Sequence, residues 1–146
     1  MYTAPQYESR RNIHMGIDIW TPAGEAVYAF FEGKLAYKAN NNRRGDYGPT
    51  LVTEHYINGI QLFALYGHLT LDTLSSAELG DTFKAGDQLG AVGSAAVNGG
   101  WEPHLHFQLS WYDPGEADMP GVVSSEQHKE ALRRYPDPRI VWSDLY

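Results

Sequence analysis

The sequence predicts a mainly β protein built from antiparallel sheets. Its 146 residues include 15 Gly and 8 Pro, and these separate short apolar segments, which is the pattern of an all-β domain. The segments 22–35 and 84–93 are alike, because each places an apolar strand after a turn marked by Gly. Such repetition is typical of barrel-sandwich domains, and we therefore expect that type of sheet with only short helices.

Seven strands are predicted from short runs rich in apolar and β-branched residues. They lie at 15–20, 26–31, 34–38, 51–55, 60–65, 88–92 and 105–111. Two long loops, at 40–46 and 93–103, interrupt them. The second loop contains the run SAAVNGG at 94–100, which cannot supply a core.

Two short helices are predicted from capping boxes, in which a Ser and a Glu or Gln three residues later bond each other's backbone N–H groups. Ser75 with Glu78 marks the start of a very short helix. Ser124 with Gln127 opens a second one over 125–135, which a proline then ends. We predict one domain over 1–146, with a core at about 11–111 and an extension at 112–146 that wraps the sheet.

The composition excludes several classes of protein. Acidic residues outnumber basic ones by 18 to 11, a net charge of −7, which argues against nucleic acid or anionic lipid as a partner. No apolar run approaches the roughly 18 residues that cross a bilayer, so we expect no membrane insertion. Because the chain has no cysteine, any metal must be held by His and carboxylate side chains. The composition does not predict an oligomeric state.

His104 and His106 stand two residues apart at the start of an apolar, strand-like run. On a strand, residues at this spacing share a face and lie about 7 Å apart. Both imidazoles can therefore reach one site while Leu105 points into the core. The alternative is a pair of solvent-facing histidines on an edge strand.

His14 and Asp18 form a second pair, four residues apart. A helix would bring them together, but the Gly, Ile and Trp residues around them disfavour a helix. On a straight strand they share a face about 13 Å apart, which is too far to bind one ion. The pair can work only if the chain bends, and Gly16 permits a bend. The alternative is a surface His with an Asp that caps a turn.

Three further histidines are weaker candidates. His68 ends an apolar strand and, taken alone, is more typical of a hydrogen-bonded histidine at the core or its rim. His55 also ends an apolar strand and is predicted to be structural or to support a ligand rather than to be one. His128 lies on the predicted second helix, where we expect it to be solvated.

Taken in order, these motifs resemble peptidase family M23, the lysostaphin-like and LytM-like zinc endopeptidases of peptidoglycan. The resemblance rests on HMGIDI at 14–19, PAG at 22–24, VYA at 27–29, YGHL at 66–69, GDQLGAVG at 86–93 and HLHF at 104–107. It covers residues 11–111. A closer likeness, to M23 modules found beside phosphotransferase and class III aminotransferase domains, rests on DYGP at 46–49, NGGW at 98–101 and MPGV at 119–122.

The resemblance implies one zinc ion per chain, with His14, Asp18 and His106 as its ligands. It also implies that His68 and His104 are catalytic histidines that do not bind the metal. Spacing alone does not distinguish His104 from His106. One of the two catalytic histidines would take a proton from water and pass it to the leaving amine, and the other would donate a hydrogen bond to the oxyanion.

The expected substrate is therefore a peptide or peptidoglycan, bound in a groove lined by loops 40–46 and 92–103 and by Trp101. Which bond is cut does not follow from the sequence. The first eight residues show no basic region followed by an apolar one, so no signal peptide is visible and the chain as written is expected in the cytoplasm. The family instead suggests the cell envelope or secretion.

Other functions remain open. Two histidines and one carboxylate also bind iron in non-haem oxygenases, although their His and carboxylate usually stand closer in sequence. A zinc-binding module with a structural or regulatory role is a second alternative, and an intracellular amidase with an unrelated substrate is a third. A lipoyl or biotinyl carrier is disfavoured, because neither Lys34 nor Lys84 sits in a suitable hairpin turn.

Overall fold

The computed structural model describes residues 13–140. Residues 1–12 and 141–146, the ends of the predicted domain, lie outside the described part, as does the segment examined for a signal peptide. The described chain forms ten strands and two helices. They are β1 (Ile13–His14), β2 (Ile17–Trp20), β3 (Ala26–Tyr28), β4 (Gly33–Asn41), β5 (Gly48–Ile57), β6 (Ile60–Gly67), α1 (Leu71–Ser76), β7 (Thr82–Phe83), β8 (Gln88–Ala91), β9 (His104–Ser110), β10 (Val122–Val123) and α2 (His128–Arg134).

The strands form one large sheet and two small ones. The large sheet has six strands in the order β2-β9-β6-β5-β4-β7, and the small sheets pair β1 with β10 and β3 with β8. All of these pairings are antiparallel. The predicted mainly β class is therefore confirmed. Neither helix of the described range has the length and apolar character that a membrane crossing requires.

Side chains that alternate along β6 build a core on each face of the sheet. Leu62, Ala64 and Tyr66 belong to one core, while Phe63 and Leu65 belong to the other. The first core also takes side chains from β9, and the second takes Ala117 and Met119 from the extension. Because β9 gives its apolar residues to the first core, its alternate polar residues face the other side.

Each predicted strand overlaps an observed one, but the region around residue 15 differs from the prediction. The strand expected at 15–20 is split into β1 and β2, with Met15 and Gly16 between them. The very short strands β7 and β10 were not predicted. Two-residue strands depend on a distant partner and leave no local periodicity in the sequence.

The first helix lies earlier than predicted. It begins after Thr70, whose side-chain oxygen accepts a hydrogen bond from the backbone N–H of Thr73 at 3.2 Å. Ser75 is therefore inside the helix, and its hydroxyl donates to the carbonyl of Leu71 at 3.3 Å. The prediction of Ser75 as the N-cap was wrong, because Thr70 supplies the cap one turn earlier.

The second helix has the expected capping box but is shorter. Ser124 and Gln127 exchange two hydrogen bonds of 3.3 Å between side chain and backbone N–H, as predicted. Residues 125–127 form a turn, and the helix itself runs over His128–Arg134. Among its contacts with the rest of the chain, the extension pairs β10 with β1, and its Arg134 carbonyl accepts a hydrogen bond from the Trp111 N–H at 2.8 Å. The division into core and extension stays a prediction.

Candidate metal centre

The candidate site is built on β9, which lies next to the edge strand β2 of the six-stranded sheet. His104, His106, Gln108 and Ser110 alternate along β9, and all four are buried. The residues between them include Phe107 and Leu109, which belong to the first core. Two histidines two residues apart thus share one face, as the sequence predicted, but that face is buried beneath neighbouring segments rather than exposed.

Asp18 is brought to the histidines by strand register. On β2 it is the antiparallel partner of His106, and Trp20 is the partner of His104. Asp18 Oδ1 lies 3.2 Å from His106 Nδ1 and 3.6 Å from His104 Nε2. Cross-strand pairing places these groups side by side although 88 residues separate Asp18 from His106.

His14 reaches the same carboxylate because the chain bends between β1 and β2. Its Nε2 lies 3.3 Å from Asp18 Oδ1, far closer than a straight strand allows. Gly16 is at the bend, where a Cβ atom would lie 2.5 Å from His106 Nε2 and 2.8 Å from the Phe107 carbonyl oxygen. The site therefore needs a glycine at this position for lack of space.

The charges at Asp18 indicate a site that attracts cations. Burial alone would raise the pKa of Asp18, but hydrogen bonds with His106 and His14 outweigh burial and lower it well below its usual value. The hydrogen bond to Asp18 raises the pKa of His14 above 6.5. A carboxylate held ionised among imidazoles favours positive charge beside it.

His14, Asp18 and His106 fit a metal ion. One ligand atom from each lies within 4.8 Å of the other two, and the described residues form no second such group of His and carboxylates. The amide N–H of Gln108 donates to the Pro120 carbonyl at 3.0 Å, so the amide oxygen faces His106 Nε2 and accepts a hydrogen bond from it at 2.9 Å. His106 Nδ1 is therefore the nitrogen that faces Asp18, 3.2 Å away, and that would bind a metal ion. Two imidazoles and one carboxylate are a zinc donor set that leaves a fourth position open.

His68 lies beside this group at the end of β6. Its backbone has a φ of 64°, a conformation in which His is enriched, and it is fixed there by hydrogen bonds to Tyr47 and Gly93. Its Nδ1 donates to the Asn98 carbonyl at 2.9 Å, which leaves Nε2 free to accept a proton. Burial is the main cause that lowers the pKa of His68 to about 4. His68 is therefore a neutral imidazole near neutral pH.

His104 is oriented in the same way. Its Nδ1 donates to the Glu102 carbonyl at 2.6 Å, so that Nε2 is the nitrogen that faces Asp18. The ring lies 4.4 Å from the His68 ring and 4.6 Å from the Trp20 ring, measured between centroids. The structure thus brings all five residues singled out in the sequence into one cluster.

A cavity of about 870 Å³ opens over the cluster. One wall is the loop 43–47 with Trp101, part of which the sequence predicted. Another wall comes from the extension, which the sequence did not predict, and includes Tyr112, Met119, Arg134 and Tyr135. Of the predicted loop 92–103, only Trp101 lines the cavity. A peptide in this cavity would contact both the sheet and the extension.

Three residues that support the site were not found from the sequence. The Tyr47 ring lies 4.8 Å from the His106 ring, and its hydroxyl donates to the Met119 carbonyl at 2.8 Å. The buried Asn98 side chain bonds Trp101 and so shapes the loop whose carbonyl holds His68. Gln108 could have been found, because it continues the period of two that starts at His104. Tyr47 and Asn98 lie in the DYGP and NGGW motifs, but no strand periodicity connects them with the histidines.

The remaining histidines lie outside the cavity lining. His55 is fully buried, and its ring bonds the Thr53 hydroxyl at 2.7 Å and the Glu32 carbonyl at 2.8 Å, so its role is structural, one of the two predicted. His128 is half-buried at the start of α2, whereas the sequence predicted a solvated side chain.

A mainly antiparallel sheet that carries a two-histidine, one-carboxylate group beside two more histidines defines a β protein with a candidate metal-binding site. The model of peptidase family M23 matches residues 12–119, and the chain belongs to that family. No curated protein sequence matches this one. The resemblance to M23 is thus confirmed, whereas the likeness to modules beside phosphotransferase and aminotransferase domains stays a prediction.

Solved structures show the same fold. The catalytic domain of the antimicrobial peptidase lysostaphin from Staphylococcus simulans is 22% identical, with 87% of this chain and 98% of that one covered and a TM-score of 0.58. The catalytic domain of a mutant of EnpA, a prophage-encoded M23 protein from Enterococcus faecalis, is 25% identical, with 79% and 78% covered and a TM-score of 0.57.

Some of the structural relatives are much longer than this chain. An M23 chain from Pseudomonas aeruginosa is 20% identical, with a TM-score of 0.58 and 88% of this chain covered, but only 43% of its own length is matched. The present chain therefore spans less than half of that relative.

Proposed function

We propose that this chain is a zinc-dependent metalloendopeptidase that hydrolyses peptide amide bonds, in peptidoglycan cross-links or in glycine-rich peptides. The observation that carries the proposal is the convergence of His14, Asp18 and His106, whose ligand atoms lie within 4.8 Å of one another. Membership of family M23 supports the same reaction. The cavity above the group supports a substrate of peptide size.

In this proposal His14, Asp18 and His106 hold the zinc. Zinc bound there would polarise the substrate carbonyl and lower the pKa of a coordinated water to about 7. His106 is oriented for this role, because Gln108 holds a proton on Nε2 and Nδ1 is the nitrogen that faces Asp18 and the proposed metal position. His14 completes the set, with its ring centroid 4.9 Å from that of His106.

His68 and His104 supply the proton transfers. A general base must be neutral, and burial keeps His68 neutral above about pH 4. We assign His68 as the base that takes the proton of the attacking water on Nε2 and delivers it to the leaving amine nitrogen. His104, whose ring lies 4.4 Å from that of His68, is assigned the hydrogen bond to the oxyanion, which it donates from Nε2 in the form that carries a proton on both ring nitrogens. Their Nδ1 bonds to carbonyls keep both rings oriented.

The first test is the metal content of protein purified without added metal, by mass spectrometry. We expect one zinc per chain in the parent protein, loss of zinc in His106→Ala, and full retention in the control His128→Ala. The same preparations are then given peptidoglycan fragments and glycine-rich peptides, and new amino termini are counted. Only the zinc-loaded proteins should release them.

Three outcomes would contradict the proposal. Iron in place of zinc would favour the oxygenase alternative, which oxygen uptake with a 2-oxo acid would test. Zinc without cleavage of either substrate would favour a structural or regulatory module. Absence of any metal from the parent protein would rule out the metallopeptidase mechanism.

A further inference from the structure

Four consecutive residues of the extension, the 119–122 segment, each contact a different part of the candidate metal centre. Met119 accepts a hydrogen bond from Tyr47 at 2.8 Å, and Pro120 accepts one from Gln108 at 3.0 Å. Gly121 accepts one from the N–H of Met15 at 2.7 Å, and Val122 is the strand partner of His14. All but the first of these residues lie beyond the part of the chain that the family model matches.

The bond from Gln108 to Pro120 decides which nitrogen of His106 is available. A side-chain amide has one oxygen that accepts and one NH₂ group that donates. Because the NH₂ group is used by the Pro120 carbonyl, the oxygen faces His106 Nε2 at 2.9 Å. An oxygen can only accept, so Nε2 carries a proton and Nδ1 is the nitrogen left to bind a metal. The Pro120 carbonyl thus sets the tautomer of a metal ligand through one intermediate side chain.

The segment also fixes the position of His14. β1 contains only two residues, and the strand pairing of the described chain gives it β10 as its partner. His14 lies opposite Val122, and the next residue, Met15, bonds Gly121. The backbone that carries His14 is therefore held by the extension and not by the large sheet.

The fit of the segment against the centre is close. A Cβ atom on Gly121 would lie 2.5 Å from the Tyr47 hydroxyl oxygen, well below normal contact. Tyr47 in turn packs against the rings of His106 and His68, at centroid distances of 4.8 and 5.7 Å. A shift of the segment would move a ligand and a catalytic histidine together.

We propose that the 119–122 segment is a positioning element of the metal centre, which sets the His106 tautomer through Gln108 and holds His14 through strand pairing. This inference rests on the proposed zinc site. None of these residues is a proposed ligand, and their contribution would be the geometry in which His14 and His106 meet the metal. Groups that orient metal ligands in this way typically change metal affinity by about 10- to 100-fold when they are replaced.

The test replaces Gln108 by leucine in the full chain. The zinc dissociation constant is measured by competition with a chelator, and the protons on the His106 ring are assigned by ¹H–¹⁵N NMR of zinc-free protein at pH 8. We expect Gln108→Leu to weaken zinc binding by about 10- to 100-fold and to replace the single Nε2–H tautomer by a mixture. The control is Gln61→Leu, whose amide bonds Glu54 at 2.8 Å far from the site and which should change neither quantity.

A second variant tests the contact between the 119–122 segment and Tyr47. It also provides a test if Gln108→Leu fails to fold. In Gly121→Ala the new methyl group must displace either Tyr47 or the segment, and zinc binding should weaken while the proton on His106 stays on Nε2. Unchanged zinc affinity in both variants, with a single His106 tautomer in Gln108→Leu, would overturn this inference alone. Failure of the parent protein to bind zinc would instead overturn the proposed function on which it rests.

Discussion

His55 and His106 are two buried histidines on the same six-stranded sheet with opposite surroundings. His55 on β5 points into the first core, where its ring lies 4.6 Å from Phe30 and 5.9 Å from Phe83. His106 on β9 points to the other side, toward the cavity. Both are almost inaccessible to solvent, so burial does not tell a structural histidine from a candidate ligand.

The difference lies in what the second ring nitrogen faces. His55 uses both nitrogens on neutral partners, the Glu32 carbonyl and the Thr53 hydroxyl. His106 uses one nitrogen on Gln108 and turns the other toward the carboxylate of Asp18. A histidine closed on both sides by neutral groups is part of the framework. A histidine with one nitrogen turned to an anion beside a cavity can bind a cation.

The largest effect on zinc binding is expected when the negative charge of Asp18 is removed. Asp18→Asn keeps the shape of the side chain but removes the charge that lies 3.2–3.6 Å from three imidazole nitrogens. We expect zinc affinity to fall by more than about a hundredfold, beyond the usual effect of changing a supporting residue, and peptidase activity to disappear. Isothermal titration with zinc measures the loss. Glu54→Gln, a carboxylate paired with Lys34 at 3.7 Å, is the control and should bind zinc normally.

The next largest effect should come from the two histidines that do not bind the metal. Replacing His68 or His104 by alanine removes a proton carrier, and kcat should fall by about a hundredfold or more while one zinc per chain is retained. Steady-state kinetics and metal content are measured on the same samples. Full activity in both variants would show that the assigned roles are wrong.

His55→Ala should act on stability and leave the metal centre intact. The change leaves the Glu32 carbonyl and the Thr53 hydroxyl without their partner and opens a space among aromatic side chains. We expect the free energy of unfolding to fall by about 2–4 kcal/mol, with zinc content unchanged. Urea unfolding of zinc-free protein measures the change. Loss of zinc from a folded His55→Ala variant would contradict the separation between framework and site.

The smallest effect is the pH dependence that His55 contributes. Burial lowers the pKa of His55 below the 6.5 of the unfolded chain, so between the two values the unfolded state binds more protons. The stabilising contribution is present above pH 6.5 and is lost as the pH falls through the folded-state pKa. Each unit by which the pKa is lowered corresponds to about 1.4 kcal/mol.

The measurement compares urea unfolding of the parent protein and of His55→Gln between pH 5 and pH 7.5, both without zinc. The difference between the two proteins removes the contribution of His68, whose pKa is also lowered. We expect the parent protein to lose more stability on acidification than His55→Gln. Equal losses would show that the core does not disfavour a charged His55.

Much of the site was predictable because it follows strand periodicity. The spacing of two residues between His104 and His106 predicted that they share a face of one strand. A straight strand would hold His14 and Asp18 about 13 Å apart, so their joint action required a bend, which Gly16 permits. The assignment of His106 rather than His104 to the metal came only from the family resemblance. Residue spacing alone treats the two alike.

The parts that sequence analysis missed depend on contacts between distant residues. Tyr47 and Met119 are 72 residues apart, and β1 with β10 forms a ladder of two pairs, so neither leaves a local pattern. The position of α1 was missed for a different reason. Thr70 and Ser75 are both acceptable caps, and in the folded chain it is Thr70 whose hydroxyl accepts from the backbone N–H of Thr73.

The pairing of Asp18 with His106 joins positions 88 residues apart, at the outer strand of the sheet, in a chain with no cysteine. An ion held by both would act as a reversible cross-link and would remove loop-closure entropy from the unfolded chain as a disulfide does. Its release would also loosen β2 and expose the backbone edge of β9 to pairing with other chains. Removal of the ion by a chelator would then promote aggregation of the protein as well as inhibit the proposed activity.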